Sequence, residues 1–398
     1  MKKTEPPDKP KLPYYKCIKT SLKGIVKYDF VIDNLIQSSN MCNKIVSHTL
    51  QLLKLYLLYR TDKKLDLPKI DKQFVNAVMK TVCKAPTLGL RPSESTQGIK
   101  ENLKVFYDTH YKDLQKEELN YRYMNTVLDY LAIDIITMYE NNIKQHFVEY
   151  VERYVNVVWR KKALVKLIKQ KYKTPKARQE RINKLCSAMR RVKNDIMNPT
   201  KKKTSPTIYH SWIDKELPNI LPTRPFQKDS IYYDIMCNPQ DYLPCMFYIM
   251  KTVESYGESV NNVCPLRTDI IPKYIRIDTT TLVHLLFTKK QGNKSGYLTN
   301  GNLVKYQDKL WSLFFKTNKK CFHLNDEYKY KFHYMIETDG VGCSLLLIRK
   351  DLEGKKLRSP KVSLNTEKYI DELNETDYER LKTKKVVGID PNYSDLIY

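Results

Sequence analysis

The sequence predicts an α+β fold in which a β-barrel is interrupted by a large helical domain. Strand-like segments occur near the start of the chain, at 14–27, and again after residue 265, whereas residues 29–196 show the 3.6-residue period of helices. Because strands distant in sequence can pair in space, this order predicts one β unit split by a helical insertion.

Four short segments are predicted as strands from their β-branched and aromatic content: Tyr14–Lys27 (one strand, or a hairpin broken at Gly24), Lys273–Ile277, Tyr328–Ile336 and Cys343–Ile348. The third segment alternates aromatic and polar residues with a period of two, and its aromatic side is predicted to face the barrel core. Thr338-Asp339-Gly340 contains a favoured hairpin pair, so the last two segments are predicted to form a hairpin.

The longest predicted helix runs from Thr126 to Tyr172. Its apolar residues recur at spacings of four, four, three and four, which places them on one helical face: Ile143, Phe147, Val151, Tyr154 and Val158. Pro175 interrupts this pattern, and a second helix is predicted over Lys176–Ile196, before Pro199. Three further segments are predicted as a buried helix (Gln51–Tyr59), a loop (Lys84–Gly98) and a region of short helices and loops (Thr200–Pro265).

The charge balance indicates an anionic partner. The 398 residues carry a formal net charge of +26, from 70 Lys+Arg against 44 Asp+Glu. Such an excess raises self-repulsion on folding, so it is typical of proteins that meet nucleic acid, an acidic membrane face or an acidic protein. The 30 tyrosines favour nucleic acid, because aromatic rings stack on bases. No stretch reaches the ~18 apolar residues of a spanning helix, so no membrane is predicted.

The cysteines predict no zinc site in this chain. All nine are scattered and no CxxC pair occurs, which is typical of reduced thiols in an intracellular compartment. Residues 1–12 are rich in Lys, Pro and Asp, and they are predicted as a disordered tail and not a secretory signal.

One segment, Arg160–Lys203, holds more than half of the charge excess. It contains 17 Lys/Arg and two acidic residues, a net of +15 in 44 residues. A charge run is commonly a solvated helix face, but this imbalance is too large for i,i+4 pairing and favours contact with phosphates. The candidate binding residues are Arg160, Lys161, Lys162, Lys166, Lys169, Arg190, Arg191, Lys201, Lys202 and Lys203. The last three also form a weak candidate for a nuclear-localisation signal.

A second, weaker candidate lies on the predicted hairpin. Lys329 and Lys331 share one side of the third strand with His333. This basic side either lines a nucleic-acid groove or is simply solvated, and the sequence leaves both interpretations open.

A carboxylate near the end of the chain is the candidate metal ligand. Val386–Ile389 is predicted as a buried strand that ends at Asp390, and Pro391–Ser394 suits a tight turn. An Asp at the end of a rigid strand is well placed to bind a divalent cation. Strand-terminal Asp residues are also common as turn formers and helix caps, so this alternative stays open.

Gly388-Ile389-Asp390-Pro391, followed by Asp395–Tyr398, resembles the first RuvC motif of Fanzor and TnpB nucleases, relatives of the type V CRISPR effectors. Asn392 stands where many relatives have Gly, and Asn tolerates the positive φ that the turn requires. Further segments resemble Fanzor proteins specifically: Met138–Asn156, Pro265–Leu286 and Phe332–Asp351.

The resemblance implies a domain layout. A wedge-type β-barrel would be formed by 13–30 and 265–352, and 31–264 would be a helical recognition domain. A linker at 353–383 would lead to the first hairpin of an RNase H-like RuvC domain at 384–398.

The resemblance also implies partners: a guide RNA, target DNA and Mg²⁺, with Asp390 as the first metal-binding carboxylate and catalytic residue. The remaining acids and the zinc ribbon of the family lie further on, and this sequence stops eight residues after Asp390 (398 − 390), so cleavage by this chain alone is not expected. Asp395 matches no catalytic position. The alternatives are a stand-alone, repressor-like nucleic-acid-binding protein and a decayed transposon remnant.

Overall fold

A four-stranded antiparallel sheet joins the first and last strands of the described part of the chain. The computed structural model describes residues 13–83, 94–121, 124–268, 271–287, 294–298, 301–323, 329–352 and 375–382. Within them the strands are β1 (Tyr15–Ser21), β2 (Ile275–Asp278), β3 (Tyr330–Thr338) and β4 (Gly342–Arg349), in the order β1-β4-β3-β2. Ile18 lies opposite Leu345 on β4, so the predicted pairing of early with late strands is confirmed.

The β3–β4 hairpin has the predicted turn. The Asp339 carboxylate accepts hydrogen bonds from the N–H groups of Val341 and Gly342, at 2.9 and 2.8 Å. Gly340 has a φ of +97°, a conformation that glycine adopts without steric penalty. The Asp-Gly pair therefore closes the hairpin as its sequence indicates.

The alternation predicted for β3 is also confirmed. Tyr330, Phe332, Tyr334 and Ile336 are buried, and the intervening residues are half-buried. A β-bulge lies between Phe332 and Ile336, where Tyr334 has a φ of +54° and its hydroxyl donates to Asp308 at 2.5 Å. The aromatic side of the strand is thus part of the core.

The described fold is mostly helical, and the α+β class is confirmed. The helices are α1 (Leu22–Ile25), α2 (Asp29–Asp62), α3 (Lys72–Thr81), α4 (Glu94–His110), α5 (Asn125–Val158), α6 (Lys161–Lys171), α7 (Pro175–Met197), α8 (His210–Ile220), α9 (Ile231–Cys237), α10 (Leu243–Ser255), α11 (Thr279–Leu286), α12 (Lys294–Leu298), α13 (Asn302–Phe314) and α14 (Glu375–Lys382). No helix among the described residues is long and apolar enough to cross a bilayer.

The two longest helices form the centre of the helical part. The predicted apolar stripe of α5 is buried at Ile143, Phe147, Val151 and Tyr154, and Val158 is half-buried. The apolar run of Gln51–Tyr59 lies in α2, which buries Leu52, Leu53, Tyr56 and Leu57. Both faces pack into the same hydrophobic core.

Three predicted boundaries are wrong. Tyr14–Lys27, predicted as one strand or a hairpin broken at Gly24, is a strand over Tyr15–Ser21 and a helix over Leu22–Ile25. The helix predicted from Thr126 to Tyr172 is broken at Arg160, whose φ and ψ are 46° and 41°. Non-glycine residues enter this left-handed region at a cost of about 1–2 kcal/mol, so tertiary packing must hold the break in place. The loop predicted over Lys84–Gly98 is helical from Glu94 onward, and residues 84–93 lie outside the described part.

The chain divides into two compact units, 1–353 and 354–398. In the second unit the structure describes only α14, which lies in the segment predicted as a linker. The predicted tail at 1–12 and the predicted RuvC hairpin at 384–398, including Asp390, lie outside the described residues.

Candidate nucleic-acid interface

The outer part of the α6–α7 hairpin, residues 161–188, has no buried side chain; it is called the basic arm below. It carries ten Lys/Arg and one acidic residue, Glu180, a net of 10 − 1 = +9. The cations are Lys161, Lys162, Lys166, Lys169, Lys171, Lys173, Lys176, Arg178, Arg181 and Lys184. Leu185 and Ala188 pack against the core at the inner end of the arm, but its cations are not explained by core packing.

Proline and arginine contacts close the tip of the basic arm. Pro175 occupies the first turn of α7, where its missing N–H leaves no helical hydrogen bond unmade. The Arg178 Nε donates to the backbone carbonyl of Tyr172, and the Arg181 guanidinium lies 5.4 Å from the centroid of the Tyr172 ring. Arg178 and Arg181 therefore stabilise the tip of the arm itself.

An aromatic cluster fixes the base of the basic arm. Trp159, just before the break at Arg160, packs edge-on against Tyr209 and Trp212 with centroids 4.6 and 5.5 Å apart. Trp212, on α8, also stacks on Tyr154 of α5 at 6.0 Å. These ring contacts accompany the break between α5 and α6.

Three predicted residues form a stripe along α6. Lys162, Lys166 and Lys169 are spaced by four and three positions, so they share one face of the helix, and all three are exposed. Lys162 contacts Glu258 at 2.7 Å, an exposed ion pair of the kind that contributes little and exchanges readily. Lys166 and Lys169 make no ion pair within the described ranges.

Lys161 and Arg190 meet near a single acid on α5, Glu152. The Glu152 carboxylate accepts from the Lys193 ammonium at 2.9 Å. That hydrogen bond lowers the pKa of Glu152 despite partial burial, and the charges of Lys161 and Arg190 lower it further. Arg191, the next residue of α7, is exposed and has no ion pair in the described part of the chain.

The three lysines at 201–203 do not act as one group. The buried Asp195 carboxylate accepts from the N–H groups of Thr204 and Ser205, both at 2.8 Å, which holds the segment after α7 against the helix. Burial by itself would raise the pKa of Asp195, but the hydrogen bonds outweigh it and the net shift is downward. Lys203 pairs with Asp214 on α8 at 2.6 Å. Lys201 and Lys202 are exposed, with no ion pair among the residues that the structure describes.

The predicted strand lysines lie on the sheet and not on the basic arm. Lys331 is half-buried, opposite Ile348 of β4, and its ammonium lies 5.4 Å from the Tyr334 ring centroid. Lys329 is exposed, and its carbonyl accepts from the N–H of Lys350 at 2.8 Å. Burial lowers the pKa of His333, which favours the neutral ring. The predicted binding residues are therefore divided between two parts of the fold.

The sequence interpretation missed the acids that organise this surface. Glu152, Asp195 and Asp214 lie on three helices and each holds a cation or a lysine-bearing segment. Nothing in their local sequence distinguishes them from other acidic residues, because their partners are fixed only by helix packing.

The described residues contain no group of three or more His, Cys, Asp or Glu side chains placed to hold a metal ion. The nine cysteines are free thiols. Asp390, the predicted Mg²⁺ ligand and catalytic residue, lies outside the described part, so the structure supplies no ligand set for that metal.

Residues 275–349 match the profile of a domain of unknown function (DUF8286). This match covers β2, β3 and β4 with the helices between them, and it does not include the basic arm. No curated protein sequence matches the chain.

Proposed function

We propose that this chain is the nucleic-acid-binding portion of an RNA-guided DNA nuclease of the Fanzor/TnpB type, and that the basic arm contacts the phosphate backbone. One observation carries the proposal: an arm with no buried side chain holds ten cations and one acid. Such an arm gains little from packing and is destabilised by mutual repulsion, and a polyanion relieves that repulsion by charge neutralisation.

The distribution of ion pairs supports the same conclusion. Lys166, Lys169 and Arg191 on the helices, with Lys201 and Lys202 after α7, are exposed and make no ion pair in the described ranges. Lysine and arginine that face phosphates fix position and orientation without recognising base sequence. In RNA-guided systems sequence is recognised by base pairing, so a backbone-binding surface of this kind is what the protein itself needs.

We propose that the β1–β4 sheet is part of a wedge barrel, and that Asp390 is the first carboxylate of a RuvC site, which takes Mg²⁺. No cleavage step is assigned to the described residues. The proposed partners are a guide RNA and its heteroduplex with target DNA. The proposed location is a reducing compartment inside the cell, with the nucleus as one candidate.

Salt dependence of binding tests the role of the basic arm. We compare the full chain with a basic-arm variant in which Lys166 and Lys169 of the arm, with Arg190 and Arg191 at its base, are all replaced by Gln. Binding is measured by fluorescence anisotropy with a structured RNA and an RNA–DNA heteroduplex. Each lost phosphate contact should reduce the slope of log K against log salt by about 0.9 for a duplex, so the slope should fall by up to about 4.

A matched control removes the same charge elsewhere. Lys64, Lys104, Lys112 and Lys116 are exposed lysines outside the basic arm, and replacing all four by Gln also lowers the net charge by four. The control should bind with nearly the original slope. Equal losses in the two variants would mean that the arm is not a specific interface, and the proposal would be wrong.

Sequencing of RNA that copurifies with the chain distinguishes the kind of binding. One defined RNA species is expected for a guide. A heterogeneous population would instead favour a stand-alone, repressor-like binding protein, and the absence of any nucleic acid, together with no binding in vitro, would contradict both functions.

A further inference from the structure

A second cationic surface forms where two segments distant in sequence meet. Residues 23–30 connect α1 to α2, and residues 309–320 run from α13 into the following turn. The N–H of Lys27 donates to the carbonyl of Phe314 at 2.9 Å, and that of Lys316 to Ile25 at 2.7 Å. We call the surface of these two segments the aromatic–lysine patch.

The aromatic–lysine patch has an excess of positive charge. Three aspartates, Asp29, Asp33 and Asp308, lie among or beside these segments, against six lysines: Lys23, Lys27, Lys309, Lys316, Lys319 and Lys320. Lys27 and Lys319 donate to the backbone carbonyls of Ser312 and Gly24, which leaves their charges uncompensated. The other four lysines form no ion pair within the part of the chain that is described.

Two of the three nearby acids have structural roles. Asp29 lies in the first turn of α2, where a negative charge stabilises the helix dipole. Asp308, which precedes Lys309, accepts the hydrogen bond from the Tyr334 hydroxyl. Six lysines against three carboxylates leave the patch with a net positive charge.

Two exposed aromatic rings lie within the aromatic–lysine patch. The rings of Tyr28 and Phe30 are stacked, with centroids 5.7 Å apart and planes 22° apart. Phe30 is anchored edge-on against the buried ring of Phe314 at 6.3 Å. Tyr28 is 51% exposed, and its hydroxyl makes no hydrogen bond with a described residue. The result is a supported aromatic platform with an outer ring open to solvent.

We propose that the aromatic–lysine patch binds an unpaired nucleotide segment, whose base stacks on Tyr28 while its phosphates contact the surrounding lysines. Bases present a flat face that an exposed aromatic ring can stack on, and cations beside the ring hold the backbone. In a duplex the bases are already stacked on each other, so the patch prefers single strands. The inference rests on the proposed function, because it assigns a second contact of the same nucleic-acid partner.

The alternative occupant is an acidic protein segment. Such a segment would use the lysines but would gain little from the parallel orientation of the two rings. The stacked pair therefore favours a nucleobase, and a competition experiment decides between the two.

The test uses the full chain and a fluorescent single-stranded oligouridine, with a blunt RNA duplex of the same length as the second probe. Tyr28→Ala should weaken oligouridine binding by about 5- to 100-fold, the range expected when the stacking of one base is lost. Duplex binding should change by less than about twofold. Tyr28→Phe should bind oligouridine as the parent does, because it keeps the ring.

A control outside the patch and a second variant within it separate stacking and charge from other effects. Tyr232 is a similarly exposed tyrosine outside the patch, and Tyr232→Ala should leave both probes unaffected. Lys316→Gln should weaken oligouridine binding and reduce its salt dependence. Since Tyr28 is half exposed, its loss should not alter the thermal unfolding temperature, which is measured in parallel.

The outcomes distinguish this inference from the proposed function. If Tyr28→Ala leaves oligouridine binding unchanged while the basic-arm variant loses duplex binding, the patch inference is wrong and the proposed function stands. If the parent chain binds neither probe, both are wrong. Displacement of oligouridine by polyglutamate at equal charge concentration, with no effect of Tyr28→Ala, would identify an acidic protein as the partner and overturn the inference.

Discussion

Asp195, near the end of α7, accepts two hydrogen bonds from Thr204, one from the backbone N–H at 2.8 Å and one from the hydroxyl at 3.0 Å. This contact ties the segment after α7, which carries the exposed Lys201 and Lys202, to the end of the helix. A buried carboxylate thus positions cations that it does not touch.

Asp195→Asn is expected to lower the free energy of unfolding by about 1–3 kcal/mol, because the substitution removes charge-assisted hydrogen bonds at a buried site. Urea unfolding at neutral pH measures it. The exposed Asp214, whose ion-pair partner among the described residues is Lys203, provides the control: Asp214→Asn should cost less than about 1 kcal/mol. Equal effects of the two substitutions would show that Asp195 does not hold the segment.

Stability is expected to fall in acid partly through Asp234. Burial would raise the pKa of this carboxyl, but the bidentate bond from Arg224 and hydrogen bonds from Tyr242, Gln227 and Asn238 outweigh it, so the folded pKa is lowered. A carboxyl with a lowered folded pKa stabilises the fold above its unfolded pKa of about 3.9 and loses that contribution as pH falls through the folded value.

The comparison with Asp234→Asn isolates this contribution. The difference in unfolding free energy between the parent and this variant should be largest at neutral pH and should shrink below about pH 4. Asp241 contacts the same arginine from an exposed position, and Asp241→Asn should show a much smaller difference at every pH. A difference for Asp234→Asn that is constant from pH 7 to about pH 2.5 would contradict the assignment.

Glu152→Gln is expected to strengthen nucleic-acid binding. The substitution removes the acid that faces Lys161, Arg190 and Lys193 at the base of the basic arm. An exposed acid–base contact is worth up to about 1 kcal/mol, so the affinity should rise by about two- to fivefold. Glu117→Gln removes an exposed acid that pairs with Lys44, away from the arm, and should leave the affinity unchanged. Weaker binding by Glu152→Gln would show that the base of the arm does not face the ligand.

Arg160→Gly and Arg160→Ala separate the strain at the α5–α6 break from the charge of Arg160. Both remove one cation, but only glycine adopts the observed φ of 46° without steric penalty. The glycine variant should therefore be more stable than the alanine variant by about 1 kcal/mol in urea unfolding. A less stable glycine variant would show that α6 continues α5 in solution.

Gly340→Ala is expected to destabilise the chain through both backbone strain and contact. A Cβ at this position would lie 2.6 Å from Cγ1 of Ile36 and 3.0 Å from its Cα. Gly257 also has a positive φ, of 73°, but a Cβ added there would have no atom within 4 Å, so Gly257→Ala measures strain alone. Gly340→Ala should cost about 1–3 kcal/mol more than this control in thermal or urea unfolding.

Part of the fold could be predicted because its signals are local. The alternation along β3 and the Asp339-Gly340 turn depend on residues within a few positions of each other, and both are confirmed. Likewise, Pro175 and Pro199 bound the second basic helix, since proline limits where a helix can begin and continue.

The break at Arg160 could not be predicted in this way. The apolar residues on either side keep a helical spacing, and no glycine or proline marks the position. The contacts of Trp159 with Tyr209 and Trp212, about fifty residues further along, accompany the break and have no signature in the sequence around it.

The sequence by itself determined that residues 160–203 carry a large positive excess and that the segment Tyr328–Ile336 alternates aromatic and polar residues, because charge and short periods are properties of neighbouring residues. Only the tertiary structure decided which of these cations are free of acidic partners and so available to bind phosphate. Lys162, Lys193 and Lys203 have acidic partners on other elements, whereas Lys166 and Lys169 have none within the described ranges. Ion pairs between helices depend on how the helices pack, and packing brings together residues that no local pattern connects.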